Sequence, residues 1–159
     1  MNSYTYVESP IGRLLLQSDG VALTGLYMDV PSRPPRGMAD WVENASAEPL
    51  PETIRQLGEY FAGRRRAFDL PLRLHGTEFQ QRVWNLLKEI PYGATWSYGE
   101  LAKRIDNPNA SRAVGLANGR NPISILVPCH RVIGADGSLT GYGGGLERKQ
   151  WLLAHEGLY

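Results

Sequence analysis

The sequence predicts an α/β (α+β) protein with a small antiparallel sheet in its first half and a helix-turn-helix in its second. Three observations carry that expectation. Short apolar runs separated by Pro-Gly and Asp-Gly turns fill residues 4–28. Apolar residues recur at helical spacing over 78–90 and 146–155. Between these, two short helical stretches flank the polar turn Asp106-Asn107-Pro108-Asn109. A chain of 159 residues can form one domain or two small lobes; the expected division is 1–75 and 76–159.

Residues 4–9, 13–18 and 22–28 read as successive strands of a meander. The stretch 31–51, dense in Pro, Ser, Ala and charge, predicts a loop of weak order. Over 52–61, Ile54, Leu57, Tyr60 and Phe61 share one helical face. A last strand is expected over 67–72. No chemistry is legible in this half, which reads as a scaffold. In the second half, Phe79, Val83, Leu86, Leu87 and Ile90 line one face of a helix with Thr77 as a plausible N-cap, and Ile90-Pro91-Tyr92-Gly93 stops it. Ser97 followed by Glu100 is a capping-box pattern that opens a helix running to about Ile105. Residues 110–119 form the second helix of the pair, and the closing helix over 146–155 ends at Gly157.

Composition excludes several classes. With 42% hydrophobic and 21% charged residues, the chain is neither disordered nor fibrous. No apolar run nears the roughly 20 residues that span a bilayer, so no membrane role is expected. The N-terminus lacks a basic stretch followed by an apolar one, which predicts no secretory signal. One cysteine cannot form an intrachain disulfide, and a cytoplasmic location with a free thiol fits. The lack of Cys or close His pairs argues against a zinc site, so no metal is expected. Residues 1–75 hold eight Lys/Arg against nine Asp/Glu, and 76–159 hold nine against seven. So weak an asymmetry permits nucleic-acid binding without arguing for it.

The second helix of the helix-turn-helix is unusual. A major-groove reader projects Gln, Asn, Arg or Lys toward base edges, whereas this one offers Ala110, Ser111, Ala113 and Gly115 around a single Arg112. Small side chains would let the helix backbone enter a narrow minor groove while one long Arg fills the place of a displaced base. Close packing of the helix on its neighbours would explain the same small residues.

The lone thiol, Cys129, sits in the apolar run Ile125-Leu126-Val127-Pro128-Cys129-His130-Arg131-Val132-Ile133. By base rate such a cysteine is an inert buried hydrophobe. Pro128 before it, His130 after it and the glycine-rich segment 140–145 suggest a thiol prepared for chemistry instead, since the thiolate is the nucleophile. Neighbours on a strand face opposite ways, so a Cys129–His130 relation needs a bridging water or an irregular backbone. A carboxylate to orient the imidazole should come from elsewhere in the chain; Glu156 is the candidate, against the simpler reading of an exposed terminal Glu.

The residues Pro128-Cys129-His130-Arg131-Val132, with Asn121-Pro122 before them, Tyr142-Gly143-Gly144-Gly145 after them and Leu152-Leu153-Ala154-His155-Glu156-Gly157 at the end, resemble the O6-alkylguanine-DNA alkyltransferase family. Ser97-Tyr98 and Ser111-Arg112-Ala113-Val114-Gly115 stand at that family's spacing, and the resemblance runs from about Thr77 to Gly157. It implies a ribonuclease-H-like first lobe and a winged-helix-like second one. It also implies repair of double-stranded DNA carrying O6-alkylguanine, and O4-alkylthymine, by a monomer bound through the minor groove. The flipped base would lose its alkyl group to Cys129 in one displacement, with His130 taking the thiol proton through water and Glu156 orienting His130. Tyr98 matches the hydroxyl that protonates the leaving guanine, Arg112 the stack-filling arginine, and Asn121 the residue tying the helix-turn-helix to the cysteine loop. The carbonyls of Cys129 and Val132 match acceptors for the guanine amine, and Tyr142, Gly143 and Gly144 match the pocket wall. No cofactor is implied, because the alkyl group comes from DNA, and each molecule acts once.

The sequence departs from that family in places. The first lobe has no cysteine, and His75 alone cannot hold zinc. No extra N-terminal domain is seen, so the stand-alone repair form is expected. Where some relatives carry Ser, Met and Pro in the pocket, this chain has Gly143, Asn118 and Ser124, which predicts a roomier, more polar wall. The competing readings are a helix-turn-helix regulator or lesion sensor with a reactive thiol, a non-enzymatic lesion binder, and a Cys–His hydrolase. Relatives of the second kind lack the reactive Cys that this chain keeps. Stoichiometric consumption separates the alkyl acceptor from the hydrolase.

Overall fold

Short β-prone runs divided by tight turns give the first strands: β1 (Ser3–Val7), β2 (Leu14–Ser18) and β3 (Leu23–Met28). They pair antiparallel in chain order, with Thr5 opposite Leu16 and Leu16 opposite Leu26. The computed structural model describes residues 2–28, 35, 37–139, 142 and 145–158. The chain divides into two compact units, Met1–Leu74 and His75–Tyr159, one residue before the expected boundary.

In the first unit, the period-2 alternation of strand side chains puts Thr5, Leu14, Leu16 and Leu26 on one buried face. Helix α1 (Leu50–Phe61) packs on β1 and β2 and buries Leu50, Thr53, Leu57 and Tyr60. Three expectations are corrected here. The stretch 31–51 is not all loop: it contains a 3-10 turn at Met38–Asp40, the strand β4 (Val42–Glu43) and the start of α1. Strand β4 lies parallel to β1, so the sheet order is β3-β2-β1-β4 and the sheet is not purely antiparallel. Residues 31–34 and 36 of that stretch lie outside the described residues. The expected strand over 67–72 is a single bridge between Leu72 and Leu23. Leu23 N donates to Pro71 O at 2.8 Å and Arg73 N to Leu23 O at 2.9 Å, but Pro71 has no N–H to continue a ladder. The buried amide of Gln56 secures this segment instead, accepting from Asp69 N at 2.9 Å and donating to Asp69 O at 3.0 Å.

In the second unit, Thr77 caps α2 (Glu78–Leu87) in a full capping box with Gln80. The helix stops three residues short of the expected Ile90. Ile90 is nevertheless buried in the turn that follows. Strand β5 (Trp96–Ser97) leads into α3 (Tyr98–Arg104), whose first turn is closed by Ser97 Oγ accepting from Glu100 N at 3.1 Å. The turn at 105–110 returns the chain as α4 (Ser111–Gly119), which packs on α2 and α3. Trp84 fixes that packing: its ring is buried and Nε1 donates to Ala117 O on α4 at 2.8 Å. Strand β6 (Val132–Ile133) pairs parallel with β5, Trp96 opposite Val132. Helix α5 (Leu146–His155) ends at Gly157, whose φ of 91° suits a left-handed cap, and Leu158 N closes on Leu153 O at 2.8 Å. Among the described residues, no helix is long and apolar enough to cross a membrane.

Candidate active site around Cys129

The segment that holds the thiol is not the strand its apolar composition suggests. Cys129–Arg131 form a 3-10 turn that runs directly into β6. Arg131 N donates to Pro128 O at 3.0 Å and Cys129 N to Val127 O at 2.8 Å. Upstream, Ile125 is held at a φ of 73°, which costs a β-branched residue energy and marks a backbone held by its surroundings. Asn121 is the clamp. Its Nδ2 donates to Val127 O at 2.7 Å and its Oδ1 accepts from Ile123 N at 3.0 Å. The chain two residues beyond α4 is thereby tied to the loop that presents the thiol.

The turn is buried. Cys129, His130 and Arg131 are all shielded, and His130 is 0% exposed. Glu156, the candidate carboxylate, is not the exposed terminal Glu of the simpler reading: it is 3% exposed and turned inward from the C-cap of α5. His130 Nε2 lies 2.8 Å from Glu156 Oε2. Burial raises the Glu156 carboxyl, but hydrogen bonds from His130 and Arg131 outweigh it and hold it at about 2. His130 is pushed down by burial, opposed by Glu156, so the imidazole is neutral near pH 7. Its Nδ1 is buried and has no hydrogen-bond partner among the described residues. The Cys129 thiol is raised by burial, while a hydrogen bond from Asn121, the charge of Lys149 and Tyr142 pull the other way.

Two residues that sequence reasoning passed over belong to this cluster. Lys149, 0% exposed on α5, donates from Nζ to Val132 O at 2.6 Å; burial lowers its ammonium to about 8, opposed by the charge of Cys129. Arg131 makes a two-pronged contact with Glu156. The place of Lys149 three and four residues before Leu152 and Leu153, on their face of α5, was the only signal for the first, and it does not separate a buried charge from a solvated one. The second had none beyond its place beside His130.

The other expected residues fall into two groups. Asn118 is buried and donates from Nδ2 to Cys129 O at 3.3 Å, while its Oδ1 has no hydrogen-bond partner among the described residues. Asn118 and Lys149 thus already engage the carbonyls of Cys129 and Val132. Val132 is fully buried, and Ser124 and Tyr142 are half-buried. Gly143 and Gly144 lie outside the described residues. On α4, Arg112 and Ala113 are exposed, and Ala110, Ser111 and Gly115 are half-buried. Gly115 faces the ring of Tyr98, where an added Cβ would stand at 3.7 Å. Leu116, one turn after Arg112, is 63% exposed on the same face. Among the described residues, no group of three or more His, Cys, Asp or Glu is placed to hold a metal ion.

Comparison with known proteins agrees across the whole chain. Residues 78–158 match the family described as 6-O-methylguanine DNA methyltransferase, DNA binding domain, and residues 2–74 match its ribonuclease-like domain. The chain is 57% identical over 157 residues to a methylated-DNA–protein-cysteine methyltransferase of Mycolicibacterium paratuberculosis, covering 98% of this chain and 93% of that one. It is 55% identical over 154 residues to the protein of that name from Methanosarcina acetivorans, covering 97% of each. The crystal structure of Mycobacterium tuberculosis O6-methylguanine methyltransferase superposes with a TM-score of 0.91 at 52% identity, covering 98% of this chain and 93% of that one. The OGT of the same organism, solved in complex with DNA, superposes at 0.89 with 52% identity, covering 97% and 92%. The chain therefore belongs to the 6-O-methylguanine DNA methyltransferase family, the methylated-DNA–protein-cysteine methyltransferases.

Proposed function

We propose that this protein repairs DNA by taking the alkyl group of O6-alkylguanine, and of O4-alkylthymine, onto its own Cys129 in one irreversible step. The observation that carries the reading is the buried turn in which Cys129 adjoins a neutral His130 held by an ionised Glu156. Because that carboxylate only accepts, the imidazole proton sits on Nε2 and the lone pair on Nδ1. Nδ1 takes the thiol proton through a bridging water, and the sulfur attacks the alkyl carbon. The S–C bond forms as the C–O6 bond breaks, and the electron pair passes to guanine, which takes a proton from the Tyr98 hydroxyl. The resulting thioether has no leaving path, so one molecule acts once.

Burial of the thiol makes ionisation costly before substrate arrives, and Asn121, Lys149 and Tyr142 offset part of that cost. The exposed face of α4, with Arg112 and Ala113 flanked by Ala110, Ser111 and Gly115, enters the minor groove. Arg112 then occupies the stack vacated by the flipped base. Tyr142, Ser124 and Asn118 wall the pocket. The carbonyls of Cys129 and Val132 accept from the guanine amine through their second lone pairs. The first unit acts as scaffold, the protein works as a monomer in the cytoplasm, and no cofactor or metal takes part.

Intact-mass spectrometry after incubation with an O6-methylguanine oligonucleotide tests this directly. One methyl group per protein, mapped to Cys129, is the expected result. The Cys129→Ala variant gains none while still binding the lesion duplex. Unmodified wild-type protein beside an unrepaired oligonucleotide overturns the reading.

A further inference from the structure

Arg131 shares the 3-10 turn of Cys129 and His130, yet its side chain points away from solvent, at 8% exposure, into the carboxylate of Glu156. Each of its three nitrogens donates a hydrogen bond. Nε donates to Glu156 Oε1 at 2.7 Å, Nη2 to Oε2 at 3.0 Å, and Nη1 to Ile90 O at 2.7 Å. The Oε2 atom that accepts from Nη2 is the one that meets His130 Nε2 at 2.8 Å. One carboxylate oxygen is therefore shared by a permanent cation and the imidazole.

We infer that Arg131 is a positioning residue that sets the tautomer of His130: its guanidinium keeps Glu156 a carboxylate, which forces the imidazole proton onto Nε2 and leaves Nδ1 as the proton acceptor. This rests on the reading of Cys129 as nucleophile and His130 as base. A carboxylic acid and a neutral imidazole can satisfy one another in two ways. The carboxylate accepts from Nε2–H, or the pair takes up one more proton from solvent, so that the acid donates to bare Nε2 and the ring carries its proton on Nδ1. The second arrangement presents an N–H on the Nδ1 side and has no lone pair there for a thiol proton. Buried in a low-dielectric interior, a carboxyl with only a neutral imidazole beside it favours its uncharged form. The bidentate guanidinium removes that option, because it is always charged and its planar fork matches both oxygens.

Charge accounting in the cluster agrees. Arg131 and Glu156 cancel, so His130 can stay neutral with Nδ1 free of any hydrogen-bond partner among the described residues. The other titratable groups against the cluster are Cys129 on the same turn, Lys149 from α5, Tyr142 beside the thiol and Tyr92. The ring of Tyr92 lies 5.7 Å from the Arg131 guanidinium, and its hydroxyl donates to His155 O at 3.3 Å. Lys149 donates to Val132 O and Arg131 to Ile90 O, so the two buried cations are anchored on different carbonyls.

The test uses full-length protein labelled with 15N-histidine. Long-range 1H–15N spectra report the His130 tautomer, and single-turnover transfer from free O6-benzylguanine is followed across pH. Wild type is expected to hold the Nε2–H tautomer at about pH 7. Arg131→Gln is expected to populate Nδ1–H and to slow transfer roughly a hundredfold, the lower end of what a positioned proton acceptor contributes. Its rate recovers as pH rises and Glu156 ionises again, which moves the pH profile upward. Arg131→Lys keeps the charge without the fork, so it retains Nε2–H and shows a smaller loss. A folded Arg131→Gln protein with the wild-type tautomer and pH profile overturns the inference. So does a wild-type protein whose His130 carries its proton on Nδ1, or on both nitrogens, a result that requires no variant to fold. Failure of wild type to alkylate Cys129 at all would instead sink the repair reading while leaving the tautomer measurement intact.

Discussion

Glu156 is 3% exposed and still ionised, which links its chemistry to stability. In the unfolded chain its carboxyl titrates near 4.5; in the fold, hydrogen bonds from His130 and Arg131 overcome the effect of burial and hold it at about 2. A depressed carboxyl favours the fold above the unfolded value, and that contribution is lost as pH falls through the folded one. The difference corresponds to about 3 kcal/mol, fully present above about pH 4.5 and gone near pH 2. Urea unfolding followed from about pH 6 downward is expected to show this decline. Glu156→Gln is expected to start less stable at neutral pH, because Arg131 loses its counter-ion in the interior, and to lose less on acidification. An acid profile as steep as wild type would show that the pair carries no linkage. At this scale the sequence shows only part of the site. Cys129 and His130 stand out because they are a lone thiol and a base in an apolar run. Arg131 and Lys149 do not, because a charge paired in the interior and a charge in solvent look alike in one dimension.

The proposed reaction requires α4 to be set against the loop that carries Cys129, and elements rather than single residues do this. Trp84 of α2 reaches Ala117 O in the last turn of α4, a carbonyl that also accepts from Arg120 N at 3.1 Å, and so ties the two helices together. Asn118 and Asn121, at and just after the end of α4, bind the Cys129 and Val127 carbonyls. Trp84→Phe keeps much of the buried ring and removes the interhelical hydrogen bond while Arg120 N still serves the Ala117 carbonyl, at a cost of about 1 kcal/mol. A fall in thermal midpoint with a larger proportional loss of transfer from duplex than from free O6-benzylguanine is expected. Equal loss on both substrates would remove α4 placement as the cause. Helices with strong apolar spacing and cap residues were legible from the sequence: Thr77, Ser97 and Gly157 end their helices where the pattern places them. Elements made by pairing rather than by pattern were not. Strand β4 and the β5–β6 pair span two residues each, too few for an alternation to register. Pro71 turned an expected strand into one bridge. The 3-10 turn at Cys129 was hidden because its apolar neighbours are those of a buried strand.

Taken whole, the chain is nearly neutral, with 17 Lys and Arg against 16 Asp and Glu, and this sets how it must hold DNA. Each phosphate neutralised by a protein cation steepens the fall of log affinity with log salt by about 0.9 on duplex DNA. A protein with a broad basic face therefore binds steeply with salt. The α4 face proposed to meet DNA has Arg112 as its charge, with the apolar Leu116 one turn on and 63% exposed. Van der Waals contact in the groove and the extruded base must then supply much of the affinity, and neither term depends on counter-ions. Fluorescence anisotropy with the Cys129→Ala protein, which cannot consume its ligand, is expected to give a slope of about −3 or shallower between 50 and 200 mM salt. Lesion-bearing and undamaged duplexes should share that slope and differ only in intercept, because the lesion is read by the pocket rather than by phosphates. A slope near −6 or steeper would mean that scattered surface lysines and arginines carry binding. A lesion-dependent slope would mean that base extrusion recruits new phosphate contacts, and the pocket alone would no longer account for recognition.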